Sequence, residues 1–176
     1  PVALATGRSN HSLAVLFEKL GYGGCGLPVD HVIFATGAGI MDCPSGRIRK
    51  SAALSLHEVR HISTILSHRR LDYMIHRPVP DTVYFLHSPP SGNNPDFHRR
   101  LQLYREFAAP LSPETLAGFG GATEVLCISD GQNGHHLAAE LVRDFRQFSV
   151  IKATSPLDKT SIWIEIFAPA VSKSQA

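Results

Sequence analysis

Apolar positions along the chain follow two alternating rhythms: short runs of consecutive apolar residues, then spacings of three and four. Val2-Ala3-Leu4-Ala5-Thr6 is an apolar run closed by Gly7, after which Leu13, Leu16, Phe17 and Leu20 share one face of a helix ending at Gly21. Residues 31–36 read as a buried strand, closed by Gly37 and Gly39. A turn-rich stretch from Asp42 to Gly46 precedes a second helix. It carries Leu54, Val59, Ile62, Ile65 and Leu66 inward, with His57, Arg60, His61 and His68 on the other face. Strands at 71–75 and 82–86 follow, with Pro78 and Pro80 between them.

Past the turn at Ser88-Pro89-Pro90, a helix over about 96–108 aligns Phe97, Leu101, Tyr104 and Ala108. Ser112-Pro113-Glu114 is a short-helix start, with a capping serine and a proline in the first turn. A strand at 124–129 leads into a periodic helix through Leu137, Leu141, Val142, Phe145 and Phe148. Strands at 149–154 and 161–167 close the pattern around a turn at Pro156-Leu157-Asp158.

Strands alternating with helices predict an α/β fold: a Rossmann-like three-layer sandwich with a mostly parallel sheet. The last two strands are too close for a crossover helix, so the sheet should end in an antiparallel hairpin. In such sheets a ligand lies beyond the carboxyl ends of the strands, which directs attention to the loops after residues 6, 36, 87 and 129. The expected organisation is one domain over 1–170 and a short polar tail over 171–176. With 176 residues and 43% hydrophobic content, the chain is long enough to bury a core, and disordered and fibrous classes drop out.

The formal net charge of +2 makes no nucleic-acid argument for the whole chain. Its distribution says more. Residues 47–100 carry nine Lys/Arg against four Asp/Glu and six of the ten histidines, whereas 101–176 carry six basic against eight acidic. The middle segment suits a polyanion, with Arg47, Arg49, Lys50, Arg69 and Arg70 as RNA-contacting candidates. The same residues also fit a solvated helix face with its loops. Cys25, Cys43 and Cys127 are an odd number without a CxxC pair, which argues against a disulfide framework or zinc knuckle and for a cytoplasmic or other reducing compartment. Cys25 with His135 or His136 invites a cysteine-nucleophile reading, but Leu27-Pro28 argues against a helix starting there. No apolar run approaches the roughly 20 residues that span a bilayer, so no membrane partner is expected. The first residue is Pro, as in a processed product or a piece excised from something larger.

This order of elements resembles the class I S-adenosylmethionine-dependent methyltransferases, and in segment lengths the FtsJ-like RNA ribose 2′-O-methyltransferases, from Val2 to Ala168. The resemblance places the cofactor loop at Val2 to Ser12 and implies Thr6, Gly7, Ser9, Asn10, Thr36 and Gly37 as cofactor-binding residues for S-adenosylmethionine. The catalytic candidates are Ser88, at a position the resemblance gives, and Asp130, Lys152 and Glu165, the available charges near the right strands that could substitute, with no metal. The departures are pointed. Ala3 stands at the acidic position of the first strand, and Ser88 at the catalytic aspartate. The fifth-strand lysine falls near Cys127 or Ile128, and the last-strand glutamate near Ser161 or Ile162. Losing most of a catalytic set removes many orders of magnitude in rate. The expectation is therefore a degenerate, non-catalytic methyltransferase-like domain. It would serve as scaffold or RNA-contacting module beside other domains or subunits of a larger assembly, such as one derived from a viral polyprotein. The alternative is an active S-adenosylmethionine-dependent RNA 2′-O-methyltransferase. A third reading is a histidine-based endoribonuclease assisted by Lys152, Thr154 and Thr160.

Overall fold

The computed structural model describes residues 1–22 and 26–176; the proposed nucleophile Cys25 lies outside them. Strand β1 (Ala3–Ala5) leads into helix α1 (Asn10–Lys19), whose Ser9 hydroxyl accepts the Ser12 N–H as N-cap and whose exit is taken by Gly21 at φ 76°. Then come β2 (His31–Phe34), β3 (Gly39–Asp42), β4 (Ile48–Ser51) and the two-residue β5 (Leu54–Ser55). Helix α2 (Leu56–His68) starts from a full capping box: Ser55 takes the Glu58 N–H, and Glu58 takes the Ser55 N–H.

Strands β6 (Asp72–His76) and β7 (Phe85–His87) precede α3 (Pro95–Leu103), which Asn94 caps by accepting the Phe97 N–H. Next are β8 (Ala108–Pro110) and α4 (Pro113–Phe119), the latter opened by Ser112 and closed by Gly120 at φ 72°. After β9 (Gly121–Ala122) come β10 (Glu124–Ser129), α5 (Gly131–Asp144), β11 (Ser149–Thr154) and β12 (Ile162–Phe167).

The strands form a four-stranded sheet in the order β1-β2-β3-β4, a six-stranded sheet in the order β11-β12-β10-β6-β7-β8, and a β5-β9 ladder. The α/β class and the closing antiparallel hairpin β11-β12 are as the sequence indicates. Strand directions differ from the expected mostly parallel sheet. Only β1-β2 and β7-β8 pair in parallel; every other described pairing is antiparallel.

The connections explain this. Each parallel pair is joined through a helix, α1 or α3, as a crossover requires. By contrast, the link from β6 to β7 carries no helix and makes a hairpin. Helix α5 joins β10 to β11, which run the same way, but β12 returns between them as an antiparallel strand. This is a split βαβ unit. Alternation of strand and helix therefore survives in sequence while the neighbours in space are mixed.

On the six-stranded sheet, successive side chains face opposite sides. Tyr73, Ile75, Val125, Cys127, Ile164 and Ile166 belong to the main core, with Val59, Ile62 and Leu66 of α2 and Ala138 and Leu141 of α5. The last of these helices lies close enough that a Cβ on Gly134 would stand 2.5 Å from Ile162 Cβ. The other face holds Met74, Leu126, Ile128 and Trp163 against Phe97 of α3. Asn94 ties α3 to this sheet by donating from Nδ2 to the Ile128 carbonyl at 2.9 Å. Buried Asp96 adds two bonds, accepting from Trp163 Nε1 at 2.7 Å and Ser155 Oγ at 3.0 Å. Yet α3 covers only part of that face.

Burial pushes the Cys127 thiol up to about 12, so it is an inert core group. Cys43 is disulfide-bonded, which departs from the expectation of no disulfide framework. Among the described residues no helix is long and apolar enough to cross a membrane.

Candidate functional site

The uncovered part of the sheet forms one wall of a cleft of about 550 Å³. That wall presents His76, Phe85, Glu124, Leu126, Trp163 and Glu165; α3 adds Arg100 and Tyr104. The opposite wall is the β1–α1 junction, Thr6, Gly7, Arg8 and Ser9, continuing into His11 and Ser12. The cleft thus lies between the four-stranded and six-stranded sheets, and its volume falls in the range of small-molecule sites.

The β1–α1 junction is rich in hydrogen-bond donors. The Thr6 N–H bonds the Ile33 carbonyl, and the Thr36 N–H bonds the Thr6 carbonyl, which fix the loop to β2. Thr6 Oγ1 accepts from the Arg8 N–H at 3.2 Å, so its own hydrogen is left to donate. Arg8 reaches along α1 to Ser12 Oγ at 3.3 Å. Because Ser9 caps at Ser12, the first N–H groups of the ten-residue helix lack intrahelical acceptors, and the dipole adds partial positive charge.

The end of β2 makes the floor. Ala35, Thr36 and Gly37 all have positive φ (45°, 58° and 104°), an unusual conformation for the first two that local packing must hold. It turns Thr36 Oγ1 to donate to Glu165 Oε2 at 3.3 Å. A Cβ on Gly37 would stand 2.3 Å from the Ser172 carbonyl, so only glycine lets the segment carrying Lys173 run past this turn.

The sheet wall carries a buried charged cluster. His76 Nδ1 sits 2.9 Å from the Thr82 carbonyl, which can only accept, so the proton is on Nδ1. Nε2 is then bare and takes a bond from Arg100 Nη2 at 3.4 Å. Burial, with the Arg100 charge beside it, lowers the His76 pKa to about 3, so the 4.0 Å approach of Nε2 to Glu124 Oε1 is not an ion pair at neutral pH. Glu124 is itself held well above the usual carboxylate range by burial and by the Glu165 charge. Burial likewise raises Glu165, against the opposing pull of the Thr36 bond, Arg100 and Lys173. A carboxyl that keeps its proton in a cleft is both a hydrogen-bond donor and a proton source.

The residues singled out in the sequence are distributed unevenly about this cleft. Thr6, Gly7, Ser9 and Glu165 line it, and Thr36 and Gly37 underlie it. Asn10 instead anchors α1, donating to the Pro80 carbonyl at 2.6 Å and accepting from Thr82 at 2.7 Å. Ser88 is buried, with its hydroxyl taken by the Tyr73 N–H at 3.1 Å. Asp130 is the N-cap of α5, and its bonds from Asn133 lower its pKa. Lys152 faces away from the cleft, 3.1 Å from His135 Nδ1 of α5. Ser88, Asp130 and Lys152 therefore do not converge with Glu165.

The basic candidates are dispersed as well. Arg49 pairs with Asp42, Arg69 is held between Glu140 and Asp144, and Arg47, Lys50 and Arg70 are exposed. Arg8, His76, Arg100, Glu124 and Lys173 went unrecognised in the sequence. Arg100 was detectable: it lies three residues after Phe97 on the inward face of α3.

No protein-family model and no curated protein matches the sequence. Solved structures do. A haloacid dehalogenase-like hydrolase from Bacteroides thetaiotaomicron superposes with a TM-score of 0.68 at 14% identity, over 98% of this chain and 59% of its own. A phosphatase of the haloalkanoate (HAD) enzyme superfamily from the same organism gives 0.68 at 12% identity, over 98% and 55%. A haloacid dehalogenase-like hydrolase from B. subtilis gives 0.66 at 16% identity, over 98% and 63%.

The fold is thus that of the HAD-like hydrolases, and the chain spans a little over half the length of these structures. The methyltransferase resemblance is overturned, and with it the readings as degenerate scaffold, active RNA methyltransferase and endoribonuclease, together with the S-adenosylmethionine site. The physical reason is visible in the sheets. A methyltransferase reading needs the loop after the first strand and the later strands in one parallel sheet. Here β1 and β2 belong to a separate sheet from β6, β7, β10 and β12.

Proposed function

We propose that the chain supplies the phosphate-binding loop and part of the enclosing cleft of a HAD-like phosphomonoester hydrolase. The observation that carries this reading is the β1–α1 junction. It gathers a free hydroxyl on Thr6, the Arg8 guanidinium and an unfilled helix N-terminus on one wall of the cleft, and places Lys173 beside the turn beneath it. A phosphate meets a positive, donor-rich surface there without further rearrangement. The fold likeness to hydrolases, one of them a phosphatase, supports the same reaction class.

Hydrolases of this fold imply Mg²⁺. The residues of this chain do not fit it: among the described residues no three His, Cys, Asp or Glu are placed to hold a metal ion together, and burial disfavours the charged form of Glu124. No step is derived through a metal. What these residues would do is bind and orient the phosphate and exclude water on the Trp163 side.

Calorimetric titration with inorganic phosphate tests the reading directly. The expected result is saturable binding with a Kd in the millimolar range or tighter, about −4 kcal/mol or better, weakened at least tenfold in Thr6→Val and Arg8→Met. Phosphate release from a panel of phosphomonoesters by the full chain with Mg²⁺ added checks the reaction. Absence of phosphate binding by folded protein, or variants that bind as the parent does, refutes the assignment.

A further inference from the structure

Arg100 is the one feature of the cleft that phosphate binding at the loop leaves without a task. Its guanidinium stacks over Trp163 at 4.5 Å and lies 5.3 Å from the Tyr104 ring centroid, so its flat faces are occupied by aromatic surface. One edge bonds His76 at 3.4 Å, and that histidine is neutral by the tautomer argument above. Nε is buried with no hydrogen-bond partner. No carboxylate of the described residues comes within 4 Å of the guanidinium, although Glu124 and Glu165 share the cleft.

Arg100 is half-buried, and Glu124, Glu165 and Asp96 favour its charge from a distance without closing an ion pair on it. Here the neighbouring groups hold back from it: His76 is uncharged, and Glu124 sits where burial favours its neutral form. Arginine's planar fork suits a carboxylate, which it can grip with two parallel bonds.

We infer that Arg100 docks a carboxylate on the substrate, so that the substrate is a small phosphorylated acid whose phosphate lies at the Thr6–Ser9 loop and whose carboxylate lies against α3. This rests on the phosphate reading above. Both groups line the same cavity, whose volume of about 550 Å³ admits a short carbon chain between them. Trp163 and Leu126 supply the apolar wall along that chain, while Glu165 faces the middle of it.

The protein carries its own reporter, because Trp163 is the single tryptophan and touches Arg100. Its fluorescence is titrated with three probes: inorganic phosphate, glycerol 3-phosphate and 3-phosphoglycerate. The last two differ only in a hydroxymethyl against a carboxylate. The expected result is at least tenfold tighter binding of 3-phosphoglycerate. Arg100→Met should bring it to the level of glycerol 3-phosphate while phosphate and glycerol 3-phosphate bind as before. Arg100→Lys, which keeps the charge but loses the fork, should reduce the discrimination at least threefold, and it serves if the methionine variant does not fold.

Equal affinity of the two phosphates for the parent protein overturns the inference and leaves the phosphate site standing. Equal weakening of all three probes in both variants also overturns it, since Arg100 would then only support the cleft. Failure of every probe, inorganic phosphate included, removes the phosphate reading itself.

Discussion

Substituting His76 by asparagine isolates the electrostatic load of the cleft's buried wall. Asparagine can donate from Nδ2 to the Thr82 carbonyl, as His76 Nδ1 does, but carries no titratable group. The His76 side chain is 5% exposed, and burial with the Arg100 charge lowers its pKa from 6.5 to about 3. In the unfolded chain the imidazole takes up a proton below pH 6.5, whereas in the fold it resists until near pH 3. Its contribution to stability is therefore complete above pH 6.5 and is lost as the pH falls through that window.

Linkage puts the loss at about 2 kcal/mol by pH 5 and ~5 kcal/mol when fully developed. Glu124 acts with the opposite sign: raised above its ordinary value, it costs stability as pH rises from the usual carboxylate range. Both proteins keep Glu124, and His76 is not among the groups that perturb it, so the effect cancels between them. Urea unfolding followed by circular dichroism at pH 7 and pH 5 reads the difference. The parent should lose about 2 kcal/mol more than His76→Asn over that interval, whatever the variant loses at pH 7 from its smaller side chain. Parallel losses, within about 0.5 kcal/mol, would refute a neutral buried histidine.

Two further outcomes follow from packing. Gly134→Ala gains about 1 kcal/mol of helix propensity, but its Cβ would meet Ile162 Cβ at 2.5 Å, an overpacking cost of about 1–3 kcal/mol. The urea midpoint should fall, and a rise would show that α5 can move off the sheet. Trp163→Phe removes the donor to buried Asp96 Oδ2, and a loss of about 1–3 kcal/mol is expected in the same assay; an unchanged midpoint would mean that Asp96 finds another partner.

The elements were largely legible in the sequence, and their directions were not. The spans of β10 and β11 coincide with the runs at 124–129 and 149–154, because strong turn or helix signals bound each of them, although only β10 is buried and β11 is a half-exposed edge strand. Strands β3 and β4 flank the stretch from Asp42 to Gly46 read as turn-rich, and neither was read as a strand. They are four residues each, and β4 is polar enough (Arg49, Lys50, Ser51) to look like loop. Parallel pairing was inferred from alternation alone, which does not register that β12 returns between β10 and β11.

The loop after β1 drew attention as a site for S-adenosylmethionine, a cofactor that the fold likeness overturns. Thr6, Gly7 and Ser9 line the cleft together with Arg8, whose guanidinium suits an anion. Glu165 stood out between Trp163 and Phe167. Its companions did not: Glu124 begins its strand and passes for an end residue, and Arg100 sits beside the exposed Arg99.

The insertion of β12 between β10 and β11 also orders events in time. During synthesis, residues 124–129 and 149–154 emerge first and have no common neighbour to hold them side by side. Only when residues 162–167 are free of the ribosome can the gap fill, and that strand brings Trp163 and Glu165 with it. At roughly 5–20 residues per second, the nascent chain spends on the order of seconds with the wall of its cleft incomplete and the edges of two apolar strands open to other chains. The sheet wall of the cleft is thus completed later in synthesis than the β1–α1 loop that faces it.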